Sequence, residues 1–279
     1  MFRTVADISY IVTLLSYLIA MGILALGTYR AFKIRRVLAH PTYRSRALWL
    51  ALVAVLYIIV LFTDLMPYPN QTNLVTATLI TLAVTLPYVV FAFMMFASVD
   101  RTILVAIDMD LFRRNTFQWS RLRSPVYASV LGSFFLILVA NPFLYLQSPP
   151  LWATTADLAF YPLFLIPLGI AAIALAVSAR RSMESTMRRF VGLFSVSVAF
   201  FITDSVLFNY VYYFYYTPAL QLVDNLVIVA ASYFLYRAIT SLTPLGRVEP
   251  RGAVLDSVEG TTQQRDALRA RMATKTEFP

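Results

Sequence analysis

Asp64, Asp204 and Asp224 are the residues of this chain best placed to do chemistry. Asp204 stands inside "FFITDSVLFNYVYY" (Phe200 to Tyr213), an otherwise apolar run. A carboxyl in such surroundings can hold a proton, bind a cation or accept a ligand's donor group. Held ionised near a bilayer centre it costs ~2.5–3.5 kcal/mol, so it marks a functional site by default. Asn73, Asn209, Tyr210 and Asn225 lie near the same stretches and add neutral donors and acceptors. These seven residues together predict an outward-facing polar pocket for a small solute or cation. Structural readings compete. Asp204 could be protonated, bonded to a Tyr or Thr of a neighbouring helix, or wet at a helix end, and Asp64 and Asp224 also read as wetted interfacial residues. The run "YVYYFYYTP" (Tyr210 to Pro218) reads either as an interfacial tyrosine belt or as an aromatic wall around a cationic ligand.

Other chemistries lack their residues. The chain has no cysteine and a single histidine, His40. This removes disulfides, thiolate and histidine-clustered metal sites, and Ser-His-Asp catalysis. Asp108 and Asp110 alone do not make a metal site. The expectation is a protein without a catalytic centre, metal or cofactor. Asn70-Gln71-Thr72 has the form of an N-glycosylation acceptor, so Asn70 is a candidate modification site.

The elements that must position these residues are membrane helices. The chain is 59% hydrophobic and 13% charged, against roughly 25% charged in soluble domains. About 20 apolar residues are needed to cross ~30 Å of hydrocarbon. Seven segments meet this, at about 8–29, 47–66, 73–98, 126–146, 157–179, 190–213 and 220–241, and each must be helical because lipid satisfies no backbone group. The prediction is an all-α integral membrane protein, a seven-helix transmembrane domain over 1–243. Residues 244–279 form a polar, basic and mostly disordered tail, with a short helix near 262–273.

Twenty-two of the 23 Lys and Arg fall in the 30–46, 101–123 and 180–189 segments and the stretch from Arg237 onward. Only Arg3 lies on the other side. The positive-inside rule then puts the N-terminus outside and the C-terminus in the cytoplasm, in a multi-pass protein of the cell membrane. Asp204 falls about 21 Å from the cytoplasmic edge, at ~1.5 Å per residue from Phe190. The basic side fits anionic lipid headgroups rather than nucleic acid.

Spans 1–3 and 5–7 carry matching marks in the same order. Asp7 to Arg30 and Asp157 to Arg180 have identical spacing. "VLFTDL" ends the second span as "FFITDS" occurs in the sixth, and "NLVTAT" opens the third as "NLVIVA" opens the seventh. An internal duplication of the form three helices, linker helix, three helices would account for this, and so would chance within an apolar composition. Seven spans with this arrangement resemble the broad group that holds microbial rhodopsins and PQ-loop or SWEET-type transporters. The resemblance is one of topology. It implies that Asp64 and Asp204, and Asn73 and Asn225, occupy equivalent places, the paired amides resembling a polar pair of SWEET-type proteins. The chain departs from both families. Its only lysines, Lys33 and Lys275, lie outside the spans, which excludes a retinal Schiff base, and it contains no Pro-Gln pair. There is a further resemblance to seven-helix sensor modules of prokaryotic histidine kinases.

The segment 101–119, with Ile103, Ile107 and Leu111 at helical spacing, reads as a cytoplasmic amphipathic helix extending from the third span. Arg113, Arg114, Trp119, Arg121 and Arg123 are its candidate contacts to lipid or to a cytoplasmic protein partner. Pro87, Pro142, Pro162 and Pro167 can kink helices. Three functional readings follow. The favoured one is a receptor-like sensor whose outward pocket signals to cytoplasmic partners, because intramembrane acidic groups appear only in the outer half. The alternatives are a proton- or cation-coupled transporter and a structural subunit of a larger membrane complex.

Overall fold

A computed structural model describes residues 2–38, 41–66, 73–108, 119–181, 185–207, 211 and 217–242. Among these residues the structure is all-helical, with seven helices in chain order: α1 (Phe2–Val37), α2 (Pro41–Asp64), α3 (Leu74–Asp108), α4 (Trp119–Leu144), α5 (Leu151–Arg181), α6 (Ser185–Val206) and α7 (Pro218–Ser241). Each packs on its neighbours in the chain, and α7 returns to pack on α1, so the helices close into a ring. α3 also reaches α5.

Five stretches are long and apolar enough to cross a membrane: Tyr10–Val37, Arg44–Asp64, Leu74–Ile103, Arg123–Leu144 and Pro218–Ser241. α5 contributes a shorter apolar stretch, Leu165–Val177. The described part of α6 is interrupted by Arg188, Arg189 and Asp204. The outward faces are as greasy as the inward ones: Phe135 is 72% and Leu226 70% exposed. Surfaces of this kind are unstable in water and match acyl chains.

The α1–α7 seam shows how the sequence builds the ring. Tyr17, Ala20, Leu24, Gly27, Ala31, Ile34 and Leu38 are buried at alternating spacings of three and four. Asp224, Ile228, Ala231, Leu235, Ala238 and Leu242 repeat the pattern on α7. This seven-residue repeat keeps one stripe facing its partner. Small residues in it let the backbones approach, which matters where lipid removes the hydrophobic drive between helices. At Gly27 an added Cβ would lie 3.4 Å from Ile239 Cδ1, so the approach there is already close.

α3 is longer than a span. At ~1.5 Å per residue its 35 residues cover ~52 Å against ~30 Å of hydrocarbon. The third predicted span and the start of the 101–119 segment are therefore one continuous helix through Asp108. Pro87 in α3, and Pro125 and Pro142 in α4, lie within helices that continue past them. Asn141, just before Pro142, donates its Nδ2 to Thr85 Oγ1 and ties these two helices together.

Several sequence expectations lie outside the described residues. They are the acceptor Asn70, the pair Asn209 and Tyr210, the basic pair Arg113 and Arg114, and the tail from 244 onward. The same holds for the side chains of Trp119 and Arg121.

Candidate functional site: an acidic, tyrosine-walled cavity

Successive helices reverse direction, with α1 and α7 running parallel where the ring closes, so the end of α2, the start of α3, the ends of α4 and α6 and the start of α7 meet at one end of the bundle. A cavity of about 280 Å³ lies there. Asp64 from the last turn of α2 and Asp204 from α6 both line it. Tyr17 (α1), Tyr57 (α2), Tyr88 (α3) and Tyr145, just beyond α4, supply aromatic wall, and Thr85, Asn141 and Ser205 supply neutral polar groups. Tyr88 donates its hydroxyl to Ser205 Oγ at 3.3 Å.

The three aspartates expected from sequence converge, at graded depth. Asp64 is exposed, Asp204 half-buried and Asp224 buried at 3% exposure. The carboxyls of Asp204 and Asp224 lie within hydrogen-bonding reach of each other, and Asp64 is close enough to both to act on them electrostatically. Two carboxylates held this close repel each other, which favours one proton shared by the pair over two charges. No group of three or more His, Cys, Asp or Glu is arranged around a common metal position among the described residues.

Tyr57 carries the second feature that marks this as a site. It is 2% exposed, it lines the cavity, and its hydroxyl has no hydrogen-bond partner. Leaving a buried hydroxyl unpaired costs about 1–3 kcal/mol. Beneath the cavity Tyr57 stacks on Phe91 at 4.7 Å between centroids and 13° between planes. The Phe201 ring meets the Phe91 ring edge-on at 4.8 Å. These rings from α2, α3 and α6 close the floor.

The amides part ways. Asn73 is exposed and caps α3, its Oδ1 accepting from Val75 N at 2.8 Å. Asn225 is buried inside α7 and donates to Thr13 Oγ1 on α1 at 3.1 Å, as Gln221 also does at 3.1 Å. Neither amide lines the cavity. Among the described residues its neutral polar groups come from Asn141, Thr85 and Ser205, and its tyrosines are Tyr17, Tyr57, Tyr88 and Tyr145. Two of these were legible. Tyr57 precedes Asp64 by seven residues, and so shares its face of α2. Ser205 adjoins Asp204. Tyr17, Tyr88 and Asn141 gave no such signal.

A second polar cluster closes the opposite end. Asp100, at 0% exposure, accepts on one oxygen from Tyr127 OH at 2.8 Å and from Arg123 Nε at 3.2 Å, with Arg123 Nη2 at 3.1 Å. Arg46 is buried and donates to Thr102 Oγ1 at 3.2 Å and to the Arg101 carbonyl at 2.6 Å. Arg101 lies over the Trp49 ring at 3.7 Å. Arg123, expected to contact lipid or a partner, thus meets an acid of its own chain. In the sequence these arginines read as headgroup anchors, and Asp100 reads as an ordinary charge at a span end. A carboxylate directly before Arg101 at the end of a span, opposite Arg123 at the start of the next, was the available signal.

No protein-family model, curated protein or solved structure matches this chain.

Proposed function

We propose that the chain is a multi-pass sensor of the cell membrane, crossing it seven times with its N-terminus outside. In this reading the cavity faces outward, binds a small solute or cation, and passes a shift in helix packing to cytoplasmic partners. The observation that carries the reading is the cavity itself: converging Asp64 and Asp204, Asp224 behind them, and the unpaired Tyr57 hydroxyl. A transporter needs polar groups along its whole path. Below the cavity the largest fully buried side chains include Phe91, Phe96, Phe194, Met95 and Leu24, with Phe201 closing the floor. That favours a pocket closed from inside over a route across. The 3+1+3 duplication remains part of the proposal, with Asp64 and Asp204 as its matched pair.

The pocket is tested with Asp204→Asn, which keeps size and hydrogen bonding and removes the charge. The variant should fold, and its Trp and Tyr fluorescence should no longer respond to pH or to added cations. If the response is unchanged, Asp204 is only a helix-to-helix bond and the structural-subunit reading leads. In that case Asp204→Leu should cost no more than about 1.7 kcal/mol, the upper range of intramembrane hydrogen bonds.

Orientation has its own measurement. The native chain lacks cysteine, so single cysteines report cleanly. Cysteine at position 70 should react with an impermeant thiol reagent on intact cells. At 185 or 260 it should react only after permeabilisation. Labelling of 260 on intact cells would reverse the orientation.

A further inference from the structure

The acidic cavity has a chemistry narrower than "solute or cation". Asp64 and Asp204 line it with Asp224 buried behind, and among the described residues no Lys, Arg or His lines it. Four tyrosines and Phe201 form much of the wall. A cation placed against such rings is attracted by their faces, more strongly where water is excluded. An ammonium suits such a site because its directional N–H bonds satisfy carboxylate oxygens while its charge faces the rings. Tyr57 OH, buried and unpartnered, offers a donor to an acceptor elsewhere on the same ligand. At about 280 Å³ the cavity falls below the ~300–1,000 Å³ of drug-sized sites, so the ligand is small.

We propose that this cavity binds a small protonated amine carrying a hydrogen-bond acceptor, and that its ammonium group displaces the proton held between Asp204 and Asp224. This rests on the pocket reading above and names its ligand class. The exchange balances: R–NH3⁺ enters, one H⁺ leaves the carboxyl pair for solvent, and the charge of the site is unchanged. The ammonium N–H groups then bond the Asp204 carboxylate, which lines the cavity, with the ionised Asp224 behind it, and Tyr57 OH donates to the ligand's acceptor. The groups facing Asp204 in this scheme are Asp224 on α7, Asp64 and Tyr57 on α2, Tyr17 on α1, Tyr88 on α3 and Tyr145 beyond α4. α5 packs on α6, and none of its described side chains lines the cavity; the side chain of its Asp157 lies outside the described residues.

Calorimetric titration of the full chain in mild detergent tests the scheme. The probes are ethanolamine, tetramethylammonium and ethylene glycol. Ethanolamine has both N–H donors and a hydroxyl acceptor, tetramethylammonium has charge without donors, and ethylene glycol is neutral. Ethanolamine should bind best. Repeating the titration in buffers of different ionisation heat should return about one proton released per ligand. While the pair is protonated, the Kd should fall about tenfold per pH unit rise, the mass-action slope for release of one proton, and this test needs no variant. Asp224→Asn should remove most of the proton release, and Asp204→Asn should abolish ethanolamine binding. Tyr57→Phe should weaken binding about tenfold, the scale of one lost hydrogen bond.

Ethanolamine binding without proton release, or equal binding by Asp204→Asn, would overturn the amine-for-proton exchange. Ethylene glycol binding that Asp204→Asn abolishes, with no amine binding, would sink the amine assignment and leave the pocket standing. If no probe binds and wild-type fluorescence ignores pH and cations, the pocket reading falls as well.

Discussion

Phe91→Ala should lower the unfolding free energy by about 3–5 kcal/mol, the cost of deleting a fully buried aromatic side chain. Phe91 has 0% exposure and joins three helices through its stack on Tyr57 and its edge contact with Phe201. In a bilayer little of this loss is hydrophobic transfer, because lipid is as apolar as the protein core. It comes from dispersion contacts that no neighbour can replace without moving a helix. The same change removes the cavity floor, so water should reach deeper and the fluorescence of nearby tyrosines should change. Leu226→Ala is the control: the side chain is 70% exposed on the outer face, and its loss should fall within about 0.5 kcal/mol. Denaturation in mixed detergent micelles reads both. Equal costs for the two variants would mean that the three rings do not hold α2, α3 and α6 together.

The second large effect is expected at the opposite end. Arg123→Met keeps the side-chain length but takes the paired cation away from the buried carboxylate of Asp100, to which Tyr127 OH still donates. Breaking a buried pair costs about 3–5 kcal/mol. The Arg123 side chain is 46% exposed, so solvent already screens it and the low end, about 3 kcal/mol, is expected. The double variant Asp100→Asn/Arg123→Met should recover most of that, because removing both charges leaves no uncompensated ion. Tyr127→Phe should cost about 1.5–3 kcal/mol, one hydrogen bond to a charged acceptor. If the double variant is as unstable as Arg123→Met, the damage lies in packing rather than in an abandoned charge.

These two sites show where sequence reading carries and where it stops. Asp204 stood out because a carboxyl inside an apolar run violates the local pattern, and such a violation is visible in one dimension. Phe91 did not stand out. In a chain with 21 phenylalanines and 17 tyrosines, no spacing separates a ring that meets two others across helices from one that faces lipid. Asp100 was hidden for a different reason. It adjoins Arg101 at a span end, where a charge is ordinary, and only the approach of α4 brings Arg123 and Tyr127 onto it. Asn73 and Asn225 lie in matching "NLV" contexts yet differ in role, one a helix cap and one a bond to α1. A short identity of sequence does not carry burial with it, since burial depends on how deep in its helix the residue falls and on what packs opposite.

By itself the sequence determined the all-helical class and the long apolar segments, because hydropathy summed over ~20 residues and the backbone's need for internal hydrogen bonds leave lipid no other choice. It also determined which acids were worth following, since Asp64, Asp204 and Asp224 interrupt or end such segments. Tertiary structure alone decided that these acids meet, with Asp64 and Asp204 lining a cavity and Asp224 buried behind it. It alone decided that Tyr57 is left there with a hydroxyl to satisfy, and that Asp100, Arg123 and Tyr127 close the other end. The reason is the same in each case. The residues come from different helices, 140 positions apart for Asp64 and Asp204. Which faces meet is settled by side-chain packing around a closed ring, a property of all seven helices together and of no single stretch.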